Sequence, residues 1–293
     1  PGGSGKSTTA LTCLKAGLIP PQVIFQNPGY LQAMVGGQPA PLTLYAADLG
    51  RGPDGQWWVL SDRTQGPSGA GYILEARMVT KRVLGPQGFG TEEYPTAPLA
   101  QFFFHLKRHL AALSPEDQRD PTIVLLSPGV GNEVYFEHTF LAAQLGITLV
   151  TGDDLTVRQG KVYLKTVDDL QQVDVIIRRV DDSYCDPLNF RSDSMLGVPG
   201  LAQAQMLGKV ALANPLGSGF LESAALLPFL PGLAKHFLAQ ELLLPEVATW
   251  WCGQPKERQY VLDHLERLVI KKVDRSVGVI YGNQLSRQEK QQL

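Results

Sequence analysis

Short β-branched runs alternate with helix-like stretches between residues 99 and 182, and this alternation most tightly limits what the chain can fold into. Residues 99–113 mix apolar and basic side chains in a pattern that suits an amphipathic helix. Residues 122–126 (TIVLL) form a β-branched run of the kind that makes a buried strand, and Ser127-Pro128-Gly129 stops it. Residues 135–145 read as the next helix and residues 147–150 as the next strand. Asp153-Asp154, a hairpin around Gln159-Gly160 and a strand over 173–178 follow, ending at Asp181-Asp182. Strands separated by helices call for crossover connections, so the expected fold is α/β, with a mixed, largely parallel sheet and flanking helices. In such sheets ligands lie outside the carboxyl ends of the strands. Several acidic and basic residues of this chain fall at those ends.

The flanking regions carry their own punctuation. Gly17 followed by Pro20-Pro21 ends a first helix-like piece. Residues 192–207 read as mostly helix, interrupted at Pro199-Gly200, and residues 210–213 as a strand opening the loop 214–219. Residues 220–238 look helical but must break at Pro228 and Pro231. Residues 255–268 form the cleanest helical pattern, with Pro255 in the first turn and Tyr260, Leu262, Leu265 and Leu268 on one face. Val269 and Ile270 then lead as a strand into Lys271. Neither an internal repeat nor a low-complexity tract is present.

Bulk properties narrow the function classes. A chain of 293 residues, 44% hydrophobic and 18% charged, supports one large or two moderate globular domains. A net charge of −2 lacks the basic footprint of a nucleic-acid binder. No apolar run reaches the length of a membrane span, and no secretory signal opens the chain. The three cysteines, Cys13, Cys185 and Cys252, form neither a disulfide framework nor a zinc spacing, which favours a reducing cytoplasm. A start at Pro1 and an end at Leu293 suggest a fragment truncated at both ends. The opening PGGSGKSTT fits the second half of a phosphate-binding P-loop at Gly5, Lys6 and Ser7, but the first glycine and preceding strand would fall before Pro1. A flexible terminus or a chance match is the better reading.

The chemistry-bearing residues concentrate in 48–77. Asp48 ends one apolar run, a Pro53-Asp54-Gly55 turn follows, and a strand-like run then delivers Asp62 and Arg63. If those strands pair, Asp48 and Asp62 can sit side by side, which two carboxylates tolerate only with a cation between them. Magnesium usually takes one or two carboxylates together with phosphate oxygens. Two solvated turn residues are the plainer alternative. Arg63 offers a planar fork for phosphate or acyl oxygens, or makes a structural salt bridge to Asp48 or Asp62. The loop Pro67-Ser68-Gly69-Ala70-Gly71 could cradle an anion on its amides, and Glu75 is a further carboxylate. Arg178, Arg179, Asp181 and Asp182 end a strand, where one arginine faces a cleft or all four form local ion pairs. Asn132, Glu137 and His138 sit at a strand-to-helix turn, where amides attract anions. His138 reads as structural. Asn214 and Ser218, with Glu222, make a similar turn suited to a substrate carboxylate or amine. Trp250-Trp251-Cys252 reads as packing.

Seven runs carry a resemblance: WWVLSDRTQGPSGAGYILEAR, GNEVYFEH, IIRRVDD, CDPLNFRSDSMLGVPGL, ANPLGSGFLES, LPEVATWWCGQP and LVIKKVDRSVG. In this order, from about Leu14 to the C-terminus, they resemble the circularly permuted type 2 ATP-grasp family. The resemblance implies a pre-ATP-grasp-like domain with partial ATP-grasp elements, and an ATP-dependent carboxylate–amine (peptide-forming) ligase using ATP and Mg2+. The layout is related to that of glutathionylspermidine synthase. It implies Asp48, Asp62 and Glu75 for the metal; Lys271, Ser276 and Gly278 for the nucleotide; and Arg63 as the catalytic cation. Asn132, Glu137, Arg178, Arg179, Asp181, Asp182, Asn214 and Ser218 would meet substrate. Residues 1–15 would be an atypical N-terminus, 16–97 the metal and phosphate segment, 98–245 the substrate domain, and 246–293 the start of the nucleotide-binding subdomain. The implied partners are small-molecule or peptide carboxylates and amines, and an α-helical partner domain, with neither nucleic acid nor membrane. The chain departs from the family pattern at Ser61 and Arg63 (a Glu-x-Asn elsewhere), at Ala76 and at Lys272. Those departures motivate a rival reading, a non-catalytic binding or scaffold protein of the same fold.

Overall fold

The structure is a computed structural model that describes residues 12–35, 41–85, 99–116, 120–273 and 278–292. The opening PGGSGKSTT and Ser276 lie outside the described residues. The bounded helices are α1 (Pro21–Phe25), α2 (Ala70–Leu84), α3 (Ala100–Ala112), α4 (Tyr135–Leu145), α5 (Leu201–Met206), α6 (Leu230–Leu238), α7 (Pro255–Asp263) and α8 (Arg287–Gln292). The strands are β1 (Ala46–Arg51), β2 (Trp57–Arg63), β3 (Ile123–Leu126), β4 (Thr148–Val150), β5 (Leu155–Arg158) and β6 (Lys161–Lys165). They continue with β7 (Leu170–Val173), β8 (Val175–Arg178), β9 (Ala211–Ala213), β10 (Val269–Ile270) and β11 (Ile280–Tyr281). These elements form two compact units. The first holds residues 64–218 with the segment 33–46, and the second holds 47–63 and 219–292 with the described residues up to 32.

The first unit is built on a four-stranded sheet of order β4-β3-β8-β9. All its pairings are parallel, with Val124 beside both Thr148 and Ile176. Every residue of β3 (IVLL) and β8 (VIIR) is buried, as expected of parallel strands covered on both faces. The crossover β3–α4–β4 is the one legible in the sequence, and α4 ends on Gly146 at φ 61°, the left-handed cap that glycine supplies readily. Leu141 and Leu145 of α4 pack with Phe103 and Leu110 of α3 and with Leu125, Val175 and Ile177 of the sheet.

Beside this sheet, β5-β6-β7 form an antiparallel meander. Its first turn has positive φ at both Gln159 and Gly160, the geometry whose twist matches a two-residue hairpin. The single strand expected over 173–178 is in fact two. Asp174 separates β7 from β8, is buried, and accepts the Thr122 N–H at 2.9 Å. The helix expected over 192–207 shrinks to α5. The buried Asp186 carboxylate accepts the N–H groups of Leu188 (2.9 Å), Gly200 (3.1 Å) and Ala202 (3.0 Å), which anchors an irregular loop to the start of that helix.

In the second unit β1 and β2 pair around the Pro53-Asp54-Gly55 turn, closed by Gly55 N–H to the Gly52 carbonyl at 2.9 Å. Segment 245–247 runs parallel to β2, with Val59 N–H bonded to the Pro245 carbonyl (2.9 Å) and Val247 N–H to the Val59 carbonyl (3.2 Å). Cys13, Ile19, Val23, Ile24, Ala225 and Leu226 form the core of this unit, with Phe229 and Trp251 packed against it. The two prolines do break the helix expected over 220–238. A 3-10 turn at Leu227–Phe229 contains Pro228, and α6 begins with Pro231 in its first turn, where a missing N–H costs nothing. α7 stops at Asp263, and a further 3-10 turn, Leu265–Arg267, carries the chain into β10.

Candidate active site

In the second unit, Asp48 is held by the strand opposite. Its Oδ2 accepts Arg63 Nε at 3.0 Å and Nη2 at 2.8 Å, together with the Ser61 hydroxyl. The guanidinium of its own hairpin thus stands beside Asp48, and the salt bridge expected as one of the two readings of Arg63 is present. Asp62 acts instead on Glu246. The Glu246 carboxyl is pushed up to about 7, first by burial and then by the charge of Asp62. Glu75 lies on α2 of the first unit. Among the described residues no group of three or more His, Cys, Asp or Glu side chains is arranged to hold a metal ion. Of the expected ligands, Asp48 and Asp62 lie in the second unit and Glu75 in the first.

A cavity of about 580 Å³ opens in the same unit, within the usual size range of small-molecule sites. Trp250, Trp251, Val247, Ile270 and Tyr281 give it a largely apolar wall, and Lys271 adds an ammonium. Lys271 directly follows β10, and its Nζ donates to the Leu60 carbonyl at 2.9 Å. Gly278 is exposed, next to residues outside the description. Two features of this corner escaped the sequence reading. Glu246 sits in LPEV, a run whose pairing with β2 has no local signal. Trp250 and Trp251 read as packing, and Trp251 does pack on the core, yet both line the cavity.

In the first unit, most of the expected substrate residues turn inward. Arg178 ends β8 with its side chain wholly buried. It donates to the carbonyls of Val180 (2.7 Å) and Asn214 (3.1 Å) and to Ser218 Oγ (2.9 Å), and it pairs with Asp182 at 2.9 Å. Asn214, just after β9, accepts the N–H groups of Thr43 and Leu44 at 2.8 and 2.9 Å. Its amide donates to the carbonyls of Leu44 (2.7 Å) and Thr64 (2.5 Å). The Ser218 carbonyl accepts the Thr64 hydroxyl at 2.7 Å. Polar groups buried at a sheet end must find partners or lose several kcal/mol. Arg178, Asp182, Asn214 and Ser218, expected to meet substrate, each have such partners within the protein.

Glu137, also expected to meet substrate, likewise bonds groups of the protein itself. It is fully buried, and its Oε1 accepts the N–H groups of Gly69 at 2.6 Å and Gly71 at 2.9 Å. The glycine-rich loop does cradle an anion, and that anion is the protein's own carboxylate. Gly71 is required by contact, since a Cβ there would lie 2.8 Å from Glu137 Cγ. The neighbouring His138 is buried with Nδ1 at 2.9 Å from Ser127 Oγ. Burial, helped by the charge of Arg179, pushes its pKa down to about 4 and keeps the ring neutral. Arg179 is partly exposed and donates to the Pro67 carbonyl, while Asp181 is exposed. Asn132 Oδ1 accepts the Val134 N–H at 3.0 Å and leads the chain into α4.

Comparison with known proteins agrees with this layout. A model of the family described as circularly permuted ATP-grasp type 2 matches residues 9–293. A Synechocystis sp. (PCC 6803) protein is 38% identical over 284 residues, which is 95% of this chain and 58% of that protein. A protein of Mycobacterium tuberculosis H37Rv is 41% identical over 261 residues, 88% of this chain and 29% of its own length. A second from the same strain is 37% identical over 281 residues, 94% of this chain and 50% of its own length. All three carry the name uncharacterized protein. The chain spans less than two thirds of each of these relatives.

Proposed function

Because the chain belongs to the circularly permuted ATP-grasp type 2 family, we propose that it serves an ATP-dependent ligase reaction joining a carboxylate to an amine. The observation that carries this reading is the cavity lined by Trp250, Trp251, Tyr281 and Lys271. Flat apolar walls suit a nucleotide base, and an ammonium suits its phosphates. In the proposed reaction a carboxylate oxygen attacks the γ-phosphorus of ATP and ADP departs. An amine nitrogen then attacks the acyl carbon, phosphate leaves with the C–O bonding pair, and loss of a proton from nitrogen leaves an amide. Phosphoryl transfer asks a protein mainly for positioning and charge neutralisation. Lys271 would supply positive charge to the phosphates. Arg63, anchored by Asp48, would present its remaining N–H donors to the developing acyl-phosphate charge.

Magnesium, which the family implies, fits the described donors poorly. Asp48 is already balanced by Arg63, and no group of three metal-binding side chains exists among the described residues. No step of the proposed reaction is assigned to the metal. The reaction is tested by following ADP release with amino-acid acceptors, in the parent enzyme and in Lys271→Met. An acceptor-dependent rate that the substitution abolishes supports the reading, and a rate indifferent to it removes Lys271 from the site.

The Asp48–Arg63 pairing also favours a second reading, a binding or scaffold protein that has kept the fold and lost the chemistry. Titration calorimetry separates the two, since a scaffold without a nucleotide site gives no heat with ATP.

A further inference from the structure

Helix α2 turns an apolar stripe outward. Tyr72, Val79 and Val83 are 40%, 45% and 75% exposed, and Ala76 between them is exposed as well. Their spacing of four, three and four residues places them on one face, about 16 Å long at a rise of roughly 1.5 Å per residue. The opposite side of α2 is already used, with Ala70 and Leu74 packed against the sheet-and-helix core. A helix on a protein surface normally shows water its polar face. The stripe continues onto α4, where Phe136 is 50% exposed and its ring lies 5.7 Å from that of Tyr72.

We propose that this face pairs, antiparallel, with α2 of a second copy of this chain. The argument is self-complementarity. A two-fold axis passing between Ala76 and Val79 sets Tyr72 against Val83 of the second copy, and Ala76 against Val79. Ala76 leaves room at the centre for close approach. Glu75 and Arg82 lie seven residues apart on one flank of the stripe. In an antiparallel pair, matching flanks meet, so Glu75 faces Arg82 of the second copy, and symmetry makes that opposite-charge pair twice. On the other flank Ile73 meets Thr80. A parallel arrangement would set Glu75 beside Thr80 instead and make neither ion pair. The pairing does not depend on the ligase reading.

One pair of four-turn helices is small beside the 1,200–2,000 Å² typical of stable interfaces, so the dimer should form with a Kd of about tens of micromolar. Sedimentation equilibrium of the chain, from about 5 to 500 μM, reads this directly. The expected result is a monomer–dimer equilibrium. Val83→Asp should weaken it at least about tenfold with an unchanged melting temperature, because the side chain is mostly exposed. Glu75→Arg should weaken it too, by setting like charges together, and the double swap Glu75→Arg/Arg82→Glu should restore it. A chain that stays monomeric throughout overturns the proposal. So does a dimer indifferent to Val83→Asp, or a double swap that fails to recover what the single one loses.

Discussion

Arg63 donates from both Nε and Nη2 to a single carboxylate oxygen of Asp48, at 3.0 and 2.8 Å. The two side chains are 49% and 44% exposed, and exposed ion pairs contribute about 0–1 kcal/mol to stability. Arg63→Ala should therefore shift the unfolding midpoint little while removing most ligase activity. A large loss of stability with activity retained would make the pair purely structural. Urea unfolding and ADP-release rates on the same preparation decide between them.

Glu137 should behave in the opposite way. Truncation to Ala strands the buried N–H of Gly71 and the partly buried N–H of Gly69, and it leaves the charge of Arg179 without the nearby carboxylate. A loss of about 2–4 kcal/mol is expected in urea unfolding. A loss below about 0.5 kcal/mol, the level of ordinary surface substitutions, would show that water replaces the carboxylate without cost.

Gly71→Ala places a Cβ 2.8 Å from Glu137 Cγ. Crowding at a packed buried site costs about 1–3 kcal/mol, and the loss should shrink in a Glu137→Ala background, where the clashing atom is gone. Unfolding of the two single variants and the double variant measures this coupling.

Two groups give stability opposite slopes with pH. Glu246 holds its proton up to about 7, above its ordinary value of 4.5. Its contribution is thus fully present at low pH and is lost as pH rises through about 7. His138 titrates near 4, below its ordinary 6.5, so the unfolded chain takes up a proton that the native state refuses, and stability is lost as pH falls from about 6.5 toward 4. Over about pH 4.5 to 6.5 the two slopes offset each other, so melting temperatures should change little there in the parent chain, and Glu246→Gln should uncover the rise with pH that His138 contributes.

What the sequence made legible follows from how local each signal is. The β3–α4–β4 crossover was readable because continuous apolar runs, Ser127-Pro128-Gly129 and Gly146 each act within a few residues. The break of 220–238 at Pro228 and Pro231 was readable for the same reason. Asp174 was missed because nothing nearby shows that it bonds the Thr122 N–H and splits one strand into two. The site was less legible. Charge at a strand end looks the same whether it faces a substrate or, like Arg178, reaches across to Asn214 and Ser218. The amides of the glycine-rich loop, read as a possible anion cradle, meet Glu137, more than sixty residues along the chain. Glu246 joins Asp62 through pairing of distant segments that neither sequence announces.

The proposal that the cavity takes a nucleotide is tested most directly by titrating ATP into the chain while following tryptophan fluorescence, since Trp250 and Trp251 line its wall. The ligase account predicts saturable quenching that Lys271→Met weakens at least about tenfold, the loss expected when a charge-assisted phosphate contact is removed. Unchanged fluorescence at millimolar ATP, or quenching that Lys271→Met leaves intact, would contradict it.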